Sequence, residues 1–227
     1  MNSAPEHMTQ RIAVLFARAD SIYKTLTGCD VYDIERDART WPGGCPVVAH
    51  PPCRAWGRLR HFAKPRHDER DLGLWAVDRV RKYGGVLEHP ASSTLFNAMG
   101  IPKPGEKADK WGGWTLPVSQ NWWGHRAEKK TWLYIVGIVP AQMPVLPLVL
   151  GEASHTISSS GRRADGSRLK ARPEVTKAER EHTPPELALW LVDLASRCKA
   201  DHVVFSGESS VLGYVAKYLR NEMRAAK

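Results

Sequence analysis

Residues 46–53 read PVVAHPPC. The run Val47-Val48-Ala49 is short, apolar and β-branched, the character of a strand buried inside a sheet. His50 and a rigid Pro51-Pro52 step then stop the strand and leave the thiol of Cys53 just beyond its end. In an open parallel sheet, that position is where ligands bind.

The neighbouring segments extend this pattern. GVLEHP (85–90) is a second strand, and it ends in a carboxyl group, Glu88. Between the two strands, Leu72, Trp75, Ala76, Val80 and Tyr83 recur at helical spacing over 68–83, and Gly84 with Gly85 ends that helix. One strand, one crossover helix and one strand place Cys53 and Glu88 side by side over the same sheet edge. RIAVLFA (11–17), CDVYDI (29–34) and TWLYIVGIV (131–139) supply further strands, and HVVF (202–205) a late one. ThrProPro (183–185) opens a helix with Leu187, Trp190, Leu191 and Leu194 on one face, and 209–224 reads as a final amphipathic helix. Residues 100–123 read as a loop rich in Pro, Gly and Trp. Residues 140–182 form a second irregular stretch that includes the basic run SSSGRRADGSRLKAR.

The fold class expected is α/β: a doubly wound, mostly parallel sheet with a small irregular basic insertion. A catalytic core spans 11–139, a DNA-contact segment 140–182, and helices completing the core 183–227. The chain has 227 residues, 42% of them hydrophobic, enough for a core. The net charge of +9 is gathered at Arg54–Arg70, Arg126–Lys130 and Arg162–Arg172, which favours a polyanion as partner. No apolar run reaches membrane-spanning length, and neither a signal peptide nor a dense cysteine framework is present, so a cytoplasmic setting is expected. Cys29, Cys45 and Cys198 read as structural. No pair of His or Cys has metal-ligand spacing, so no metal is expected. Trp111, Trp114, Trp122 and Trp123 could stack on bases or pack the interior.

Pro-Cys at one strand end, Glu at the next, and the basic run GHRAEKKTWLYIVG (124–137) entering a strand resemble the DNA cytosine-5 methyltransferases. The resemblance spans roughly 45–137, with a weaker match at TPPELALWL (183–191). It implies a Rossmann-like methyltransferase fold. It also implies Cys53 as the nucleophile that adds to C6 of a flipped-out cytosine, Glu88 at N3 and Arg126 as the basic catalytic residue. S-adenosylmethionine is the implied donor, held by Phe16, Ala17, Asp20, Asp33, Glu35 and Pro52. DNA is the implied partner, contacted by Arg54, Lys129, Lys130, Arg162, Arg163 and Arg168. His50, Arg54 or Arg126 could lower the thiol's pKa.

Glu88-His89-Pro90 keeps only the Glu of the family's Glu-Asn-Val motif. Two departures stand out: LFARADSIYK (15–24) lacks the glycine turn that admits the methyl donor, and only about residues 140–182 stand where the family places a large target-recognition region. They leave open a cytosine C5 enzyme with another one-carbon donor, such as a folate, and an inactive relative that only binds nucleic acid. A phage-sized chain would suit the trimmed architecture.

Overall fold

A computed structural model describes residues 11–147, 149, 151–157 and 172–199. Six strands form one sheet: β1 (Ile12–Leu15), β2 (Cys29–Tyr32), β3 (Val47–Ala49), β4 (Gly85–Pro90), β5 (Trp114–Ser119) and β6 (Lys130–Val136). Their spatial order is β2-β1-β3-β4-β6-β5. β1 pairs in parallel with β2 and β3, and β3 with β4, whereas β6 runs antiparallel to both β4 and β5. The architecture is α/β with a mixed, mostly parallel sheet, compatible with a Rossmann-like fold.

Side chains alternate across the pleat, so each central strand feeds two cores. Val14, Val48 and Val86 join one core, together with Leu187, Leu191 and Leu194 of α4 (Pro185–Ser196). Leu15, Ala49 and Leu87 join the other, with Ala76, Val77 and Val80 of α1 (Glu69–Tyr83). One helix therefore covers each face, which is why the strands carry apolar residues on both sides. Both helices match the expected periodicity. Two shorter helices are α2 (Leu95–Ala98) and α3 (Lys177–Glu181). Gly84 caps α1 with φ 76°, and Gly85 starts β4 at φ 115° directly against the Val47 carbonyl, where a Cβ would collide.

Three expectations change. The loop expected over 100–123 contains β5, an edge strand that tolerates Pro117 because an edge leaves one side of the backbone unpaired. The strand expected over 131–139 ends at Val136, where Gly137 turns with φ 95°. It also runs against β4 rather than along it. The consequence is local and large. The β5–β6 connection, 120–129, hangs over the carboxyl ends of the parallel strands rather than at the opposite rim.

The late strand and final helix expected after residue 200, and Arg162, Arg163 and Arg168, lie outside the described residues. Among the described residues no helix is long and apolar enough to cross a membrane. Trp114 and Trp123 are buried: Trp114 Nε1 donates to the Ile138 carbonyl, and Trp123 packs 5.2 Å from Trp190. Trp111 lies under the Arg81 guanidinium at 3.7 Å. These tryptophans pack the interior and its margins.

Candidate active site

The strand order reverses between β1 and β3, the switch point where an open α/β sheet leaves a crevice. A cavity of about 230 Å³ lies there. Phe16 and Ala17 reach it from the end of β1, and Tyr23 from the one-turn helix Ile22–Thr25. His50, Pro52 and Cys53 reach it from the end of β3, and Glu88 and His89 from the end of β4. Lys129 enters from the β5–β6 connection, and Arg180, His182 and Thr183 close the far wall. The volume falls just below the range of ~300–1,000 Å³ usual for small-molecule sites, so it suits a fragment the size of one base.

The β3–β4 register runs Val47↔Gly85, Val48↔Val86, Ala49↔Leu87, which brings His50 beside Glu88 one step further on. A chain of hydrogen bonds follows. His50 Nδ1 meets Glu88 Oε2 at 3.1 Å, and His50 Nε2 meets the Tyr23 hydroxyl at 3.0 Å. Gln120 Nε2 donates to Glu88 Oε1 at 3.0 Å and to Thr131 Oγ1 at 3.1 Å. Burial alone would raise the Glu88 pKa. The His50 hydrogen bond and the positive charge of Lys129 reverse this and hold it at about 2. Glu88 is therefore ionised.

Cys53 has the opposite bias. Desolvation is the main cause, the Glu88 charge adds to it, and Lys129 and Arg54 offset them only in part, so the thiol is pushed up. At rest the pair is a neutral thiol beside a carboxylate. The expected thiol activation does not arise, for reasons visible in the partners. Arg54 Nε donates to Glu69 Oε2 at 3.0 Å and its Nη2 to Oε1. Glu69 is 1% exposed and needs that counter-charge. Arg126 lies outside the cavity, with Nε on Glu179 Oε1 at 2.8 Å and Nη1 facing His155 Nε2 at 3.1 Å. Arg126, expected as a basic catalytic residue, is thus not brought together with Cys53 and Glu88. Lys129, expected on DNA, lines the cavity, as do Arg18 and Arg180. Lys130 is exposed at the start of β6.

The donor residues divide. Phe16, Ala17 and Pro52 line the cavity. Phe16 makes the glycine-free turn itself with φ 64°, a left-handed backbone uncommon for a bulky residue. Asp20 does not line the cavity: its carboxylate binds Arg18 Nε at 2.9 Å and His182 Nε2 at 3.0 Å. Asp33 and Glu35 line a separate open groove beside β2. There Asp33 Oδ1 accepts the Glu35 and Arg36 backbone N–H groups and Oδ2 pairs with Lys24 at 2.6 Å. Asp33 is thus largely engaged by its own neighbours. These residues fit S-adenosylmethionine only in part.

His89 is completely buried against Phe96, its centroid 6.2 Å away. It lies near the Pro52 carbonyl, yet neither ring nitrogen makes a well-formed hydrogen bond. Burial holds it neutral and lowers its pKa to about 4. Tyr23, Gln120 and the 180–183 wall escape sequence reasoning, because their placement depends on the reversed β6 and on contacts distant in the chain. Among the described residues no group of His, Cys, Asp and Glu is arranged to hold a metal ion.

No family model, no curated protein and no solved structure matches this chain.

Proposed function

We propose that the chain is a cytosine C5-modifying transferase acting on DNA through a covalent Cys53–C6 adduct, of the cytosine-5 methyltransferase type. The observation that carries this is the convergence of Cys53, Glu88 and Lys129 on one base-sized cavity at the switch point of the sheet.

At rest the thiol holds its proton and Glu88 is ionised, so the proton moves only as the C–S bond forms. Sγ of Cys53 forms a bond to C6 as the thiol gives up its proton. Glu88, ionised, relays that proton to N3: as sulfur bonds to C6, the C5=C6 π pair moves to form C4=C5 and the C4=N3 π pair takes the proton, which leaves an enamine that is nucleophilic at C5. Protons balance within the site. Lys129 stabilises the negative charge that passes between sulfur and carboxylate. A base paired in a duplex cannot enter a cavity of this size, so the cytosine is flipped out or unpaired.

The donor is a one-carbon donor that approaches from the Phe16–Ala17 side. S-adenosylmethionine is the first reading. The engagement of Asp33 by its own neighbours and the glycine-free turn at Phe16 support a second, a donor of another class such as a folate. The exposed segment after Cys53 presents Arg58, Leu59, Phe62 and Lys64, a basic surface with apolar tips suited to nucleic acid.

The test is base analysis by mass spectrometry of cytosine-containing DNA incubated with the protein and either S-adenosylmethionine or methylenetetrahydrofolate. Modified cytosine should form with one donor and disappear with Cys53→Ser. Modified cytosine made equally well by Cys53→Ser would overturn the reading.

A further inference from the structure

The geometry points to Tyr23 and His50 as a positioning pair that keeps Glu88 in the ionised, proton-accepting state. This deepens the proposed reaction and rests on that reading for its catalytic meaning, though its core is a property of the folded protein. His50 stands where the strand ends, and its ring links two elements: Nε2 to the Tyr23 hydroxyl and Nδ1 to Glu88 Oε2. Tyr23 is 1% exposed, and this is the one hydrogen bond described for its hydroxyl.

The tautomer follows from what each group can do. Burial pushes the Tyr23 phenol well above its ordinary value, so it keeps its proton. A buried hydroxyl that donates needs an acceptor, and Nε2 is the acceptor in reach. With Nε2 accepting, Nδ1 carries the hydrogen and donates to Glu88. Gln120 holds the other carboxylate oxygen. The two donors fix the carboxylate plane and favour its charged form. A carboxylate with both oxygens held still has lone pairs free towards the cavity. Glu88 can therefore take the Cys53 proton without first losing its orientation.

The titratable groups facing this pair and Glu88 include Cys29 on β2, Cys53 on the β3 loop, His89 on β4 and Lys129 on the β5–β6 connection. Lys129 also favours ionised Glu88, so His50 shares the task, and its loss should shift the carboxyl without fully neutralising it. Tyr23 acts through His50, and His50 through Glu88.

The decisive measurement needs no substrate. In protein labelled with carbon-13 at the glutamate carboxyl, the Glu88 resonance is followed against pH in wild type, His50→Ala, His50→Asn and Tyr23→Phe, with Glu88→Gln to assign it. The Glu88 midpoint should rise by about one to two pH units in His50→Ala. His50→Asn, whose amide can donate in place of Nδ1, should restore much of the wild-type value, and Tyr23→Phe should give a smaller rise. Wild-type midpoints in both His50→Ala and Tyr23→Phe would overturn the inference. Where the protein modifies cytosine, the acid limb of kcat should move upward with the midpoint while KM for DNA holds. A fall in kcat with an unmoved limb would reduce His50 to packing. Absence of any modification by wild type would count against the proposed function and would leave the resonance shift to decide the inference.

Discussion

At the scale of single residues, the site holds three groups whose protonation is set by their surroundings, and two of them act in separate pH windows. His89 is held neutral in the fold with a pKa near 4, against an ordinary 6.5. The unfolded chain therefore binds a proton that the native state does not. Stability is full above about pH 6.5 and is lost as pH falls towards 4, by up to ~3 kcal/mol. His89→Phe, which keeps a flat ring, should flatten that decline in urea unfolding measured across this range. Glu88 acts in the same direction in a lower window: its depressed pKa contributes stability that is present above about 4.5 and is lost as pH falls towards 2. The catalytic role proposed for it gives a second expectation. Glu88→Gln keeps the shape and loses the proton acceptor, so kcat should drop by ~10²–10⁴ with DNA affinity little changed. Equal turnover would show that the carboxylate moves no proton. Cys53 and Glu88 were legible in the sequence because each follows an apolar run at a strand end. Their protonation states were not, because these depend on Lys129, His50 and the Arg54–Glu69 pair, none of which local sequence places.

At the scale of elements, the β3–α1–β4 unit carries the site. Its register depends on Gly85, whose backbone φ of 115° and contact with the Val47 carbonyl exclude a side chain. Gly85→Ala should cost about 2 kcal/mol or more in chemical denaturation and lower the thermal midpoint. Wild-type stability would mean that the two strands can separate without penalty. This unit was readable because its helix has a clean period and its ends are marked by Pro-Pro and Gly-Gly. The β5–β6 hairpin was not. Pro117 and the surrounding Gly and Trp residues disguise an edge strand as a loop, and no local pattern distinguishes a parallel from an antiparallel neighbour. That one reversal brings Gln120 and Lys129 to the site, while Arg126, on the same connection, is drawn off to Glu179.

At the scale of the whole molecule, the sheet fixes where chemistry occurs and the surface fixes what it meets. The net charge is +9, and Arg58 and Lys64 lie exposed on the segment that follows Cys53, with Phe62 86% exposed among them. Counterion release gives such a surface affinity without sequence information. Arg58→Ala with Lys64→Ala should weaken DNA binding evenly across sequences and reduce the salt slope by about 1 to 2. Phe62→Ala should leave the slope intact and weaken single-stranded binding by ~1–3 kcal/mol through lost stacking. Fluorescence anisotropy at several salt concentrations separates the two effects, and an unchanged affinity in both variants would place the DNA elsewhere. The proposed reaction turns on the bond between Cys53 and the base, and that bond can be trapped. DNA containing 5-fluorocytosine is incubated with the protein and its donor, digested, and the linked peptide sequenced by mass spectrometry. The account predicts a stable adduct on the peptide that carries Cys53, absent in Cys53→Ser. An adduct on another residue, or cytosine modification that proceeds with no adduct at all, would contradict it.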